Sequence, residues 1–287
     1  MGEKLARQLL VFGSAICMML GAMTGVAAAS SGPKVPPPSA IAQRGSFQVC
    51  VDATYPPAEY TGSNGSTLLG TDISMAKDIG SLFGVKTQFV NTPFSTIIAA
   101  LDTNKCDAVI SAVTDTPQRA KVVNFVDYIS VKSAFIVKPG NPEGIHGLAN
   151  LCGKSVAIIL GENWKPFLES QSSKCTSAGK GPVTVTEYNS TADQVLQLSE
   201  GRIDAIATST INAAFVASQA ATKSKTAVAT PNVPYLASQW GIPVRKNDPS
   251  LRAALIKAVD VLYRNGTMKK IFNSYHLGTA FQPYIPK

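Results

Sequence analysis

"KCDAVIS", residues 105–111, returns later in the chain as "RIDAIAT", residues 202–208, each setting Asp-Ala ahead of an aliphatic run. Both read as buried strands entered through a polar residue. Working outward from the first copy, 47–52 is a strand, and Ile73, Met75, Ala76, Ile79, Leu82 and Phe83 recur at helical spacing until Gly84. Lys86–Asn91 is a second strand, 95–102 a helix and 107–113 a third strand. Around the second copy the order repeats: strand 155–160, helix 164–171, strand 183–188, a helix begun by the Ser190/Asp193 capping box and stopped at Gly201, strand 203–208. Two β-α-β-α-β units predict an α/β protein of two lobes, each with a central sheet. An extended stretch at 133–137, ahead of the breaker run "KPGNPEG", and an apolar strand at 240–244 make two crossings between them, hence a hinge. The expected division is 47–137 with 239–287 for lobe one and 138–238 for lobe two. The last long helix starts with Asp248 as N-cap and Pro249 at its first position.

The ends of the chain read differently. Lys4 and Arg7 precede an apolar run over 9–26 that closes in Ala27, Ala28 and Ala29, so 1–29 is expected to be a signal peptide and the mature protein to be periplasmic. Cys17 follows the bulky Ile16 inside that run and reads as one of its apolar residues, not as a lipid anchor. The Pro- and Ser-rich segment 30–46 reads as a flexible tether.

Hydrophobic residues make up 45% of the 287 and charged ones 15%, which excludes a disordered chain. The net charge of +8 is scattered, with no basic run interleaved with aromatics, so nucleic acid is not an expected partner. His146 and His276 are the only histidines and no C-x-x-C occurs, so neither a metal nor another cofactor is expected. Cys152 and Cys175 bracket one strand-helix unit and form an expected disulfide worth about 3 kcal/mol. Cys50 and Cys106 sit in or before strands and read as small buried hydrophobes with free thiols. A nucleophile elbow and a Gly-rich dinucleotide loop are both missing.

In alternating α/β lobes, ligands bind beyond the carboxyl ends of the strands. In lobe one those ends offer the rings of Tyr55 and Phe94, the carboxylate of Glu59, the hydroxyls of Ser111 and Thr114, and Arg119 on what reads as a first helical turn after Pro117. A guanidinium fork there is a receptor for a carboxylate. In lobe two they offer Gly161, Glu162, Asn163, Trp164 and Ser209.

"YPPAEY" (55–60), "GTDISMAKDI" (70–79), "TDTPQRAKVVNFVDY" (114–128), "LCGKSVAIILGE" (151–162), "GRIDAIATS" (201–209) and "NGTMKKIFNSY" (265–275) together resemble the family-3 solute-binding proteins of ABC transporters, the polar amino-acid binders. The resemblance implies the type II periplasmic-binding-protein fold and a monomeric receptor that closes on a small carboxylate-bearing solute and delivers it to a membrane permease. It implies that Tyr55 and Phe94 meet the ligand side chain, that Ala112, Thr114 and Arg119 hold its carboxylate, and that Asn163 closes from lobe two. Two departures stand out. Ser209 lies where the family usually has an Asp for the α-ammonium, so either Glu59 or Glu162 supplies that charge or the ligand has no free α-amino group. Ala58, often Phe in the family, implies a roomier pocket. A related fold hosts cyclohexadienyl dehydratases; no paired acid and base is visible in this sequence, so no residue is assigned a catalytic role.

Overall fold

The computed structural model describes residues 34–219, 226–278 and 282–283, and the segment expected to be a signal peptide, with Cys17, lies outside them. The elements in order are α1 (Ser39–Arg44), β1 (Ser46–Val51), β2 (Thr54–Tyr55), β3 (Glu59–Thr61), β4 (Leu68–Leu69), α2 (Thr71–Leu82), β5 (Lys86–Asn91), α3 (Ile97–Asp102), β6 (Ala108–Val109) and β7 (Val123–Val137). They continue with β8 (Ser155–Ile159), α4 (Lys165–Ser177), β9 (Thr184–Tyr188), α5 (Thr191–Ser199), β10 (Ala205–Ser209), α6 (Thr210–Ser218), β11 (Ala227–Arg245), α7 (Pro249–Arg264), α8 (Thr267–Ser274) and β12 (Gln282–Pro283).

Two parallel triplets share one topology. In the first, β1 lies between β5 and β6; in the second, β8 lies between β9 and β10. Each places its first strand in the middle, as right-handed β-α-β crossovers require. The two long strands β7 and β11 pair antiparallel from Val123↔Arg245 to Val137↔Ala227 and join the triplets into one sheet. They are the expected crossings, though far longer than the short stretches read from sequence.

The Asp-Ala echo has a structural cause. Asp107 N–H donates to Gln48 O (2.8 Å) while its carboxylate accepts Gln48 N–H (2.8 Å). Asp204 N–H likewise donates to Ser155 O (2.9 Å) while its carboxylate accepts Ser155 N–H (2.7 Å). In each lobe one Asp thus pins the third strand to the first before the apolar run begins, satisfying two backbone groups at the sheet end.

Separate cores form in the two halves. One gathers Phe47, Ile73, Ile79, Phe83, Leu255 and Phe272; another gathers Phe135, Val156, Ile158, Trp164 and Leu168. In α7, Leu251, Ala254, Leu255, Ala258, Val259 and Leu262 are all buried, with Asp248 accepting Leu251 N–H as its cap. Burying such a stripe contributes roughly 1.5–3 kcal/mol for each large side chain.

Several expectations change. The tether is structured from Val35 onward: Val35 and Ile41 are buried, Val35 N–H donates to Leu82 O, and α1 ends on Gly45. A hydrophobe spaced between prolines found a core to join. Cys50 and Cys106 are disulfide-bonded, not free; both are buried on or beside neighbouring parallel strands, with Cα atoms 5.6 Å apart. Cys152 and Cys175 are bonded as expected. The segment after Pro117 forms only a short 3-10 turn over Arg119–Lys121, so no helix N-terminus stands there. The third strand of lobe one pairs only over Ala108–Val109, because the chain turns at Ala112, which has φ +47°.

Candidate functional site

A cleft between the two halves is lined from the first by Tyr55, Phe94, Ala112, Thr114 and Arg119, and from the second by Glu162, Asn163, Trp164, Thr208 and Ser209. The crossing strands add Val131, Lys132, Ser133, Ser238 and Trp240. Water centres reach only about 30 Å³ of the enclosed space, room for about two waters. The lobes are shut.

Each wall follows from its local chain. The 111–115 loop is stitched to β11: Gly241 N–H donates to Val113 O, Asp115 N–H to Gln239 O, both at 2.9 Å, and Thr114 bridges Trp240. The left-handed turn at Ala112 aims its N–H back into the lobe, where Asp72 accepts it at 2.8 Å. Arg119 emerges beside this loop. Its guanidinium donates to Thr114 O (2.9 Å) and across the cleft to Gly161 O (3.0 Å), and lies 5.4 Å from the Phe94 ring centroid. A cation over a ring face is attracted by about 0.5–2 kcal/mol.

Gly161 permits this approach. Its φ is +88°, and a Cβ there would stand 3.0 Å from the Ser95 backbone of the opposite lobe. Tyr55 makes the other bridge: its hydroxyl lies 2.9 Å from both Thr208 Oγ1 and Ser209 Oγ. Ser209 is at once the N-cap of α6, accepting Asn212 N–H at 3.1 Å, and Thr208 bonds the Asn212 side chain at 3.0 Å. Thr54 donates to Asn189 O and Asn212 to Pro56 O, closing the seam further.

Charge in the cleft is sparse. Glu162 is the one acidic side chain among the described lining residues, and 220–237 and 279–287 contain no Asp or Glu. Burial pushes its carboxyl up to about 8, against the smaller opposing pull of the Ile159 N–H and the Arg119 charge. Desolvation lowers the Arg119 guanidinium, which Glu162 and Asp115 partly offset. Tyr55 is held firmly as the neutral phenol, by burial first and by Glu162 second.

Nine of the twelve residues singled out in the sequence therefore line one cleft, and Gly161 meets it through the carbonyl that accepts Arg119. Glu59 and Ser111 do not. Both are fully buried behind the wall: Ser111 accepts Asp52 N–H (2.9 Å) and donates to Glu59 (3.0 Å). Ala58 is also buried in the lobe and does not widen the cleft. Trp240 and Ser133 lie on the crossing strands, which the sequence marks as a hinge and not as a cleft wall, and Thr208 directly precedes the strand-end Ser209. Strand-end position was the available signal for Thr208.

Residues 47–278 match the bacterial extracellular solute-binding proteins, family 3. The chain belongs to this family. The ABC transporter arginine-binding protein 1 of Escherichia coli (strain K12) is 29% identical over 228 residues, covering 78% of this chain and 88% of that protein. The crystal structure of an ancestral amino acid-binding protein, a precursor of cyclohexadienyl dehydratase, superposes with a TM-score of 0.73 at 28% identity, over 82% of this chain and 97% of its own. An ancestral arginine-binding protein bound to arginine gives 0.72 at 31% identity, over 81% and 98%. The two-lobed architecture and the solute-binding role are thereby shown. No helix among the described residues is long and apolar enough to cross a membrane.

Proposed function

We propose that this protein captures a small carboxylate-bearing solute, an amino acid or a derivative of one, between its lobes and hands it to an ABC permease outside the cytoplasm. The observation that carries this reading is Arg119: a half-buried guanidinium in the interlobe cleft, spanning from Thr114 O to Gly161 O with no carboxylate in a direct ion pair among the described residues. An entering carboxylate exchanges these neutral carbonyl partners for a charge-assisted fork. Since Tyr55 and Arg119 hydrogen-bond across the cleft, the solute enters when the lobes part along β7 and β11 and closes them again on itself. Tyr55, Phe94, Trp164 and Trp240 give the cleft aromatic walls, while Thr114, Asn163, Thr208 and Ser209 offer uncharged hydrogen-bonding groups.

Glu162 decides between two ligand charges. As a carboxylate it pairs an ammonium or guanidinium; as the acid it donates a hydrogen bond to an anionic ligand. Similarity to arginine binders supports the first. The test is a thermal-shift screen of the protein freed of its leader against amino acids, amides, opines and dicarboxylates. One class is expected to stabilise it by about 2.7 kcal/mol at a hundred times its dissociation constant. Arg119→Ala should lose the shift while unfolding as the parent does. Retained affinity in that variant would place the pocket elsewhere.

A dehydratase reading has one observation in its favour, a proton-bearing Glu162 in the cleft. The described lining residues hold no second acid and no histidine to pair with it. Incubation with a cyclohexadienyl acid should therefore give saturable binding at most, and product formation would reverse that conclusion.

A further inference from the structure

Behind the Ala112 wall two carboxyl groups are buried side by side. Glu59, on β3, and Asp72, on the first turn of α2, are each 1% exposed, and they are set side by side by Asp72 N–H, which donates to the carbonyl of Ala58 at 2.9 Å. Their other contacts are unequal. Asp72 Oδ2 accepts both Ala112 N–H and the Tyr128 hydroxyl, each at 2.8 Å. Glu59 Oε1 accepts only Ser111 Oγ–H, at 3.0 Å, because Asp52 N–H occupies that hydroxyl's acceptor side. The oxygens left over, Glu59 Oε2 and Asp72 Oδ1, meet no N–H or O–H donor among the described residues. Two ionised carboxylates cannot bond to one another, and no Lys or Arg forms a salt bridge with either among the described residues.

One proton resolves the arrangement. We propose that Glu59 and Asp72 hold a single proton between them, Glu59 as the acid donating to Asp72 as the carboxylate, and that this pair is the positioning device that fixes Ser111 and Ala112 in the wall of the cleft. The charge sits on Asp72 because that group has more donors. The same donors, Ala112 N–H first, draw Asp72 back to about 6 against burial, while burial and then the Asp72 charge drive Glu59 well above its ordinary value. Asp52 and Tyr128 are the other titratable groups facing the pair, with Tyr263 beyond Tyr128. Through Asp72 the pair accepts the N–H of a residue in a left-handed conformation that alanine seldom adopts, and so offsets the strain of that turn. Glu59 acts on the cleft through Asp72 and Ser111, without touching it.

The inference does not depend on which solute binds, so its test uses the ligand-free chain. Infrared spectra of protein carrying 13C-carboxyl glutamate in a Glu162→Gln background, which removes the other proton-bearing glutamate, should show a protonated Glu band at pH 7 that disappears when Glu59→Gln is added. The Gln amide replaces the acid as donor, so Glu59→Gln should fold and keep the hydrogen-exchange protection of the Ala112 amide within about threefold. Glu59→Leu, which has no donor, should lose that protection by tenfold or more. If Glu59→Leu does not fold, the Glu59→Gln spectrum and protection decide alone. Failure of Glu59→Gln to fold, an unchanged acid band in it, or full Ala112 protection in a folded Glu59→Leu would each overturn the proposal.

Discussion

The two halves of the cleft are built on opposite plans. Lobe one presents a permanent cation, Arg119, and a strained backbone turn at Ala112, and behind that turn lies a buried lattice of Asp52, Glu59, Asp72, Ser111 and Tyr128. Lobe two presents hydroxyls at the start of α6, where Thr208 and Ser209 are bonded to Asn212, and one acidic side chain on the turn after β8. A fixed charge in a desolvated site must have its partners preorganised, because reorganising them on binding costs affinity. Hydroxyls donate or accept by rotation alone. One wall is therefore set before the ligand arrives and the other adjusts to it.

The difference extends to the disulfides. Cys50–Cys106 closes a loop with separation 56 and Cys152–Cys175 one with separation 23, which in the chain-entropy account stabilise by about 4 and about 3 kcal/mol. Replacing the first pair by Ser should therefore lower the urea-unfolding free energy more than replacing the second. The reverse order would show that lobe one does not depend on its staple. Next in size, Arg119→Lys keeps the charge but loses the planar fork, and should weaken binding of the solute found in the screen by about tenfold in calorimetry. Equal affinity would mean that charge alone is read. Tyr55→Phe removes the hydroxyl that bonds Thr208 and Ser209. At about 1 kcal/mol for a net hydrogen bond, it should weaken binding roughly fivefold, with the loss in the dissociation rate.

A further effect concerns acid on the adaptable side. The Glu162 carboxyl is raised to about 8 in the folded chain. Below the ordinary carboxyl range both folded and unfolded chains hold its proton; between that range and pH 8 only the folded chain does. Stability should fall as pH rises through that window and level off above it. Thermal unfolding from pH 5 to 9 should show a shallower decline in Glu162→Gln than in the parent, and an identical slope would sink this assignment.

Much of the scaffold was legible in residues 105–111 and 202–208, since an Asp at a strand entrance followed by aliphatics records both burial and the neighbouring strand's open N–H. The Ser190 and Asp248 caps were legible for the same reason, because a helix start leaves backbone N–H groups that only a nearby side chain satisfies. Glu59 was misread as a site residue because a carboxylate near a strand end looks the same whether it faces a ligand or a buried partner. Asp72, its partner, lies on a helix whose apolar periodicity hid it. Cys50 and Cys106 looked like core residues, and they are; that they also meet depends on β1 and β6 being neighbours.

By itself the sequence determined what is local and periodic: the alternation of strands and helices, their caps, the repeated plan and the family likeness. Only the tertiary structure decided which face each strand-end residue turns toward. That depends on sheet order, on one left-handed turn at Ala112 and on two strands running through both lobes. Arg119 reaches the cleft and Glu59 its acid partner through contacts between residues far apart in the chain, and no local periodicity encodes such a meeting.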